Sequence, residues 1–188
     1  MGAESLIMKE IISEISQIFP SQLAFHTKSQ SKDYSLKTDP IIVGNGFDKE
    51  NYSFNEKENG PLGWAGRIAP EKGLEDAAKV ARDLGEKLLV WGLIEDKEYA
   101  SKIENTFSKE IIEWRGFLPT IKFQEELGQC RALINTPKWN EAYGNVVVEA
   151  MACGVPAIAY KLGGPGELIQ DGHNGFLVSP NDIQGMIK

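Results

Sequence analysis

Four charged residues in this sequence are spaced so that they could do chemistry. Glu141 and Glu149 bracket seven residues in EAYGNVVVE, and Arg67 and Lys72 flank a short turn sequence in GRIAPEKG. A helix starting near Tyr143 to Asn145 leaves Glu141 in the preceding loop. It puts Glu149 about one turn in, a turn being roughly 3.6 residues. Both acids can then face one crevice. A carboxylate accepts pairs of hydrogen bonds, which suits the vicinal hydroxyls of a sugar or ribose. Two carboxylates could equally act as general acid and base on a glycosidic bond, or serve as a helix cap and a solvated surface residue. The spacing is compatible with all three. At the start of that helix the N–H groups of Gly144, Asn145 and Val146 are free to meet hydroxyls or phosphate oxygens.

Arg67 lies at the carboxyl end of a predicted strand and Lys72 in the predicted first helical turn that follows. Two cations beside a positive helix end would suit a diphosphate; two solvated surface charges are the bland alternative. VGNGFD, VWGL and LGGPG place glycine turns at the ends of three predicted strands, as expected where backbone approaches a ligand at one sheet edge. There is no Walker lysine pattern, no G-x-G-x-x-G and no Asp-x-Asp that would chelate a metal diphosphate. His26 and His173 are far apart and fit no metal-ligand spacing; His173 reads as part of a turn.

The elements that must position these residues follow from periodicity. Residues 4–19 carry apolar residues at helical spacing up to Pro20. A short strand is predicted at Leu23 to His26, and SQSKDYSLKTD reads as a linker. PIIVGNGFD reads as a strand running into a turn, and NYSFNEKENG as a polar loop. From Gly60 onward strands alternate with helices. PLGWAGRI, EKLLVWGL, IIEWRGF, RALINTP, VPAIAY and GFLV are strands. The helices are APEKGLEDAAKVARDLG, DKEYASKIENTF, IKFQEELGQC, GNVVVEAMACG, PGELIQDG and the start of one in SPNDIQGMIK. In the first of these helices, Pro70 opens, Leu74, Ala77, Ala78, Ala81 and Leu84 form the apolar stripe, and Gly85 caps the end. Such alternation predicts βαβ units and a parallel sheet covered on both faces, with ligands at the carboxyl ends of its strands.

Composition narrows the function classes. The 188 residues are 41% hydrophobic and 25% charged, as in an ordinary globular domain, and the net charge of −7 argues against nucleic acid as a main partner. Cys130 and Cys153 are too few for a disulfide framework or a four-cysteine zinc site. No apolar run has membrane-spanning length. The first residues lack the basic region and cleavage site of a signal peptide, and Leu6 occupies the position where a myristoylation signal has Ser or Thr. A cytoplasmic protein that is not transmembrane is expected.

From about Pro40 to its end the chain resembles the donor-binding, C-terminal domain of retaining GT-B glycosyltransferases of family 4, the group 1 type. GNGFD is similar to that family's Asn-Gly-Val-Asp turn, GRIAPEKG to its Gly-Arg-x(4)-Lys-Gly diphosphate motif, and EAYGNVVVE to its Glu-x(7)-Glu motif. EAMACGVPAIA and DGHNGFLV are similar to its next blocks. Five blocks in order make the resemblance specific. It implies a Rossmann-like three-layer α/β/α domain, the C-terminal half of a GT-B fold. Residues 39–188 would be this domain, with 1–38 as helix and linker from the interdomain region. The resemblance implies that Arg67 and Lys72 hold the donor diphosphate and that Glu141, with the amides of Tyr143, Gly144, Asn145 and Val146, holds the sugar. Glu149 would bind the ribose hydroxyls, the base would rest near Phe117 and Leu118, and Gly46 would keep the first turn open. Arg67, Lys72 and Glu141 are thus the catalytic candidates.

The chain departs from the family at Leu93 and Ile94, which follow Gly92 where a second glycine is common, and at Tyr143, where Phe is commoner. An N-terminal acceptor domain and the long C-terminal helices are expected of the family and fall outside this sequence. The resemblance therefore implies the donor half of a hexosyltransferase that needs no metal or cofactor and does not transfer sugar alone. Its partner would be a nucleotide-diphosphate sugar, a UDP-sugar before a GDP-sugar, with the acceptor unassigned. A non-catalytic nucleotide-sugar-binding module and a GT-B nucleotide-sugar epimerase are the alternatives.

Overall fold

A computed structural model describes residues 6–55 and 59–188. The predicted helix start at residue 4 and the middle of the NYSFNEKENG loop lie outside the described residues. Helix α1 (Leu6–Ile18) leads through a turn at Pro20–Gln22 to β1 (Ala24–Phe25), the short helix α2 (Lys28–Ser31) and β2 (Ile41–Ile42). Part of the predicted linker is therefore helical: Thr27 accepts the Gln30 amide and nucleates the turn. Strand β2 pairs in parallel with β1 alone. The glycine turn of VGNGFD accordingly does not lie on the same sheet edge as the other two glycine turns, contrary to the sequence expectation.

The remainder alternates as read from the sequence. In order come β3 (Leu62–Ala65), α3 (Leu74–Leu84), β4 (Leu88–Trp91), α4 (Lys97–Thr106), β5 (Ile112–Gly116) and α5 (Thr120–Leu127). There follow β6 (Ala132–Asn135), α6 (Asn145–Ala152), β7 (Ala157–Tyr160), α7 (Pro165–Leu168), β8 (Gly175–Val178) and α8 (Ile183–Ile187). The six strands β3 to β8 form one parallel sheet in the order β5-β4-β3-β6-β7-β8. The chain winds outward from β3 to β5, returns to the other side of β3 at β6, and winds outward again. The switch point, where such sheets leave a crevice for ligands, lies between β3 and β6.

Each sheet face is covered by its own core. On one side Leu74, Ala77, Ala78, Val80 and Ala81 of α3 pack against Leu62, Leu88 and Val90. On the other, Phe123 and Leu127 of α5 and Val147 and Ala150 of α6 pack against Trp91, Leu133 and Ala157. This is the predicted three-layer arrangement. The stripe of α3 differs in one detail: Val80 is buried, and the terminal Leu84 is exposed. Both cysteines are free and buried, and burial pushes the Cys153 thiol up to about 11 and that of Cys130 up to about 12. They are core residues, not nucleophiles.

Local chemistry sets the ends of the elements that reach the crevice. Pro70–Lys72 is a separate 3₁₀ turn, and Gly73, at φ +66°, breaks it from α3. Lys72 thus stands before the helix rather than in its first turn, which corrects the sequence expectation. A side chain at Gly73 would put its Cβ 2.0 Å from the Thr136 carbonyl oxygen, so only glycine lets the two strand-end loops touch. Gly85 ends α3 in the left-handed conformation as expected.

Candidate functional site

A cavity of about 760 Å³ opens at the carboxyl ends of β3 and β6, within the size range of small-ligand sites. Arg67 and Lys72 line it after β3, Glu141 to Val146 after β6, and Phe117 and Leu118 after β5; Glu149 reaches it from α6. The sequence-predicted residues therefore converge, with one exception. Gly46 is not in the wall; its neighbour Asn45 is, and the Asn45 side chain donates to Asn145 Oδ1 at 2.6 Å.

The loop after β3 and the loop after β6 are stitched together. Thr136 donates its hydroxyl to the Gly73 carbonyl at 2.8 Å, and the Lys138 amide donates to the Glu71 carbonyl at 2.8 Å. Lys138 then forms an ion pair with Asp76, which is buried in α3 and also accepts the Tyr160 hydroxyl at 2.6 Å. Burial alone would raise the Asp76 carboxyl, but the bonds from Lys138, Tyr160 and Lys79 outweigh it and hold the group below its ordinary range. The Gly164 amide donates to the Glu141 carbonyl at 2.6 Å, so the backbone of Glu141 is held from the α7 side as well.

This scaffold brings Lys72 and Glu141 into an ion pair. The Lys72 ammonium also stands 4.8 Å from the centre of the Trp139 ring, and Trp139 Nε1 donates to the same Glu141 oxygen, Oε2, at 3.2 Å. Glu141 Oε1 has no partner among the described residues. Arg67 is held by Glu71 at 2.8 Å and by Glu95, and the Glu95 hydrogen bond raises its pKa further. Glu149 Oε1 accepts the Tyr52 hydroxyl at 2.8 Å. Burial first and the Glu149 carboxylate second push the Tyr52 phenol up, so it remains the donor. The Tyr52 ring stacks on Phe47 with centres 4.6 Å apart.

Helix α6 starts at the same place. Gly144, at φ +94°, turns the chain into it, and no side chain caps it. The Val147 amide already donates to the Gly144 carbonyl at 3.0 Å, but those of Asn145 and Val146 lack intrahelical acceptors, and the dipole makes that end attractive to an anion or a hydroxyl oxygen. Residues 45–188 match the family described as Glycosyl transferases group 1. The chain belongs to that family.

Curated proteins named as glycosyltransferases resemble this chain at the level of sequence. An uncharacterized glycosyltransferase of Methanocaldococcus jannaschii is 33% identical over 161 residues, spanning 82% of this chain and 44% of its own. The sulfoquinovosyl transferase of Arabidopsis thaliana is 33% identical over 65% of this chain and 24% of its own length. The chain spans less than half the length of these curated relatives. Among solved structures, Anabaena HepE in complex with UDP and glucose superimposes with a TM-score of 0.84 at 21% identity, covering 97% of this chain and 56% of that one. TarM superimposes with a TM-score of 0.80 at 22% identity, covering 96% and 38%. These two likenesses establish the fold, which corresponds to about half or less of each of those longer chains.

Sequence reasoning misses several wall residues of this group 1 glycosyl transferase. It selects Gly46 where the neighbouring Asn45 is the residue in the wall. Tyr52, which lies outside the wall and donates to Glu149, also goes unread because it sits in a polar loop with no periodic signal. Asn135 ends β6, and its Oδ1 is the one buried side-chain polar atom without a partner among the described residues. Position at a strand's carboxyl end is the available clue for Asn135, since that is where parallel sheets place ligands.

Proposed function

We propose that residues 39–188 bind a nucleotide-diphosphate sugar, a UDP-sugar in the first instance, as the donor half of a retaining glycosyltransferase. The observation that carries this reading is the meeting of Lys72, Glu141 and the uncapped start of α6 at the sheet's switch point, with Glu149 one helical turn further on. Arg67 and Lys72 take the diphosphate and stabilise the charge that grows on it as the glycosidic bond breaks, together with the amides of the α6 start. Arg67 exchanges Glu71 or Glu95 for phosphate as it does so. Glu141 uses its unoccupied Oε1 for a sugar hydroxyl. Glu149 takes the ribose hydroxyls, and Phe117 and Leu118 flank the base.

The complexes of the HepE fold relative with UDP and with UDP-glucose support a nucleotide sugar as ligand. Retention and hexosyl transfer follow the family resemblance, and a cytoplasmic site of action follows the composition of the sequence. The acceptor would be held by a further domain facing this cleft, and without it we expect donor binding with no transfer. Because fixed cations and helix amides carry the phosphate charge, no metal is needed. Thermal shifts with UDP, GDP, ADP and their sugars test the proposal. A ligand at 100 times its dissociation constant adds about 2.7 kcal/mol, and this gain should survive EDTA. A gain that requires Mg²⁺ or Mn²⁺ would overturn the metal-free reading.

A further inference from the structure

One wall of the cavity is built by residues outside the family match. His26 and Gln30 line it, whereas the match begins at residue 45. Their segment is fastened to the loop that carries Glu141. Thr27 donates its hydroxyl to the Ala142 carbonyl at 2.8 Å, and the Ser29 hydroxyl donates to Asn140 Oδ1 at 2.8 Å. Asn140 Nδ2 returns a bond to the Ser29 carbonyl at 2.9 Å. The Glu167 carboxylate accepts the amides of Lys28, at 3.1 Å, and of Ser29.

The bonds these two side chains make fix where their hydrogens are. His26 Nδ1 lies 2.6 Å from the Gly44 carbonyl oxygen. A carbonyl only accepts, so Nδ1 carries the hydrogen, and Nε2 of the neutral ring is an acceptor. Gln30 Oε1 accepts the backbone N–H of His26 at 2.8 Å. A backbone N–H only donates, so the free end of Gln30 is its NH₂ group, a donor. Neither the His26 Nε2 nor the Gln30 Nε2 has a partner among the described residues. The His26 ring centre is 6.1 Å from that of Tyr143, on the Glu141 side of the cavity.

An acceptor and a donor on two linked side chains complement a hydroxyl, which offers both. They complement a phosphate oxygen poorly, because it takes donors only. We propose that His26 and Gln30 form a hydroxyl-reading pair for the sugar of the donor, a specificity element added to the family's shared chemistry by the segment before it. The proposal rests on the nucleotide-sugar reading above.

The test is calorimetry on wild type, His26→Asn and Gln30→Met with UDP, GDP and ADP, each beside its glucose conjugate. The asparagine substitution retains a donor for the Gly44 carbonyl and lacks the acceptor that Nε2 presents to the cavity. The methionine substitution keeps the length of the side chain and lacks the donor. For the nucleotide that wild type binds, each variant should lose about 3- to 10-fold in affinity for the sugar conjugate, the size of one neutral hydrogen bond. Affinity for the free diphosphate should be unchanged, which also reports that the variant is folded. Equal losses for diphosphate and conjugate would overturn the pair by making it an anion contact, and no loss in either variant would overturn it outright. Wild type that binds none of the six ligands would instead bring down the nucleotide-sugar reading and this proposal with it.

Discussion

Lys72 and Glu141 are ion-paired although 69 positions separate them, and their side chains are only 18% and 17% exposed. Each is thus kept in place by the other, and by Trp139, which contacts both. Removing either partner should have a different consequence. Lys72→Met takes a charge away from the diphosphate and should weaken every diphosphate ligand by about 1.5–3 kcal/mol. Glu141→Gln keeps an oxygen that accepts from Lys72, so the ammonium stays in place, and should weaken only ligands that carry the sugar. Calorimetry with pyrophosphate, a nucleoside diphosphate and its sugar conjugate separates the two, and equal losses for all ligands at Glu141 would refute the division of roles.

The contact between Tyr52 and Glu149 gives a second series. Glu149→Gln should weaken nucleoside diphosphates and leave inorganic pyrophosphate unaffected, since only the former carries ribose. Tyr52→Phe removes the donor that fixes Glu149 Oε1 and should follow the same pattern more weakly, by about 0.5–1.5 kcal/mol. A Tyr52→Phe protein that lost pyrophosphate affinity as well would show that the phenol acts elsewhere.

Asp76 makes a prediction about stability and pH. It is buried with Lys138, Lys79 and Tyr160 as partners. Asp76→Asn should cost roughly 1.5–3 kcal/mol at neutral pH through the weakened charged hydrogen bonds. Because the native carboxyl titrates below its unfolded value of about 3.9, its contribution is present above that pH and is lost as pH falls through the native value. The stability gap between wild type and Asp76→Asn, read from urea midpoints, should therefore be constant above about pH 5 and close in stronger acid. A gap that stayed constant down to about pH 2 would contradict the assignment.

Gly73→Ala tests the junction of the two site loops. The added Cβ would sit 2.0 Å from the Thr136 carbonyl oxygen at a backbone φ of +66°. Left-handed geometry alone costs a non-glycine residue roughly 1–2 kcal/mol, and the clash must push Lys72 away from Glu141. We expect a lower melting temperature together with weakened diphosphate binding. Loss of stability with fully retained affinity would mean that the junction does not position Lys72.

Much of this is legible in the sequence because it depends on neighbours along the chain. The alternation of strand and helix from Gly60, the ends of α3 and α6, and the placement of Arg67, Lys72, Glu141 and Glu149 at strand ends or helix starts are local properties. Periodicity and glycine chemistry write such properties directly. Tertiary structure alone decided which strand ends adjoin. The order of the sheet put β3 beside β6, and this made partners of Lys72 and Glu141. It also decided that β2 would pair with β1 outside the main sheet, that Tyr52 would reach Glu149, and that His26 would enter a wall with Tyr143. Those contacts join residues far apart in sequence, and no local propensity encodes them; packing of two apolar helix layers onto one sheet selects them, and the reversal of strand order between β3 and β6 leaves the carboxyl-end crevice open.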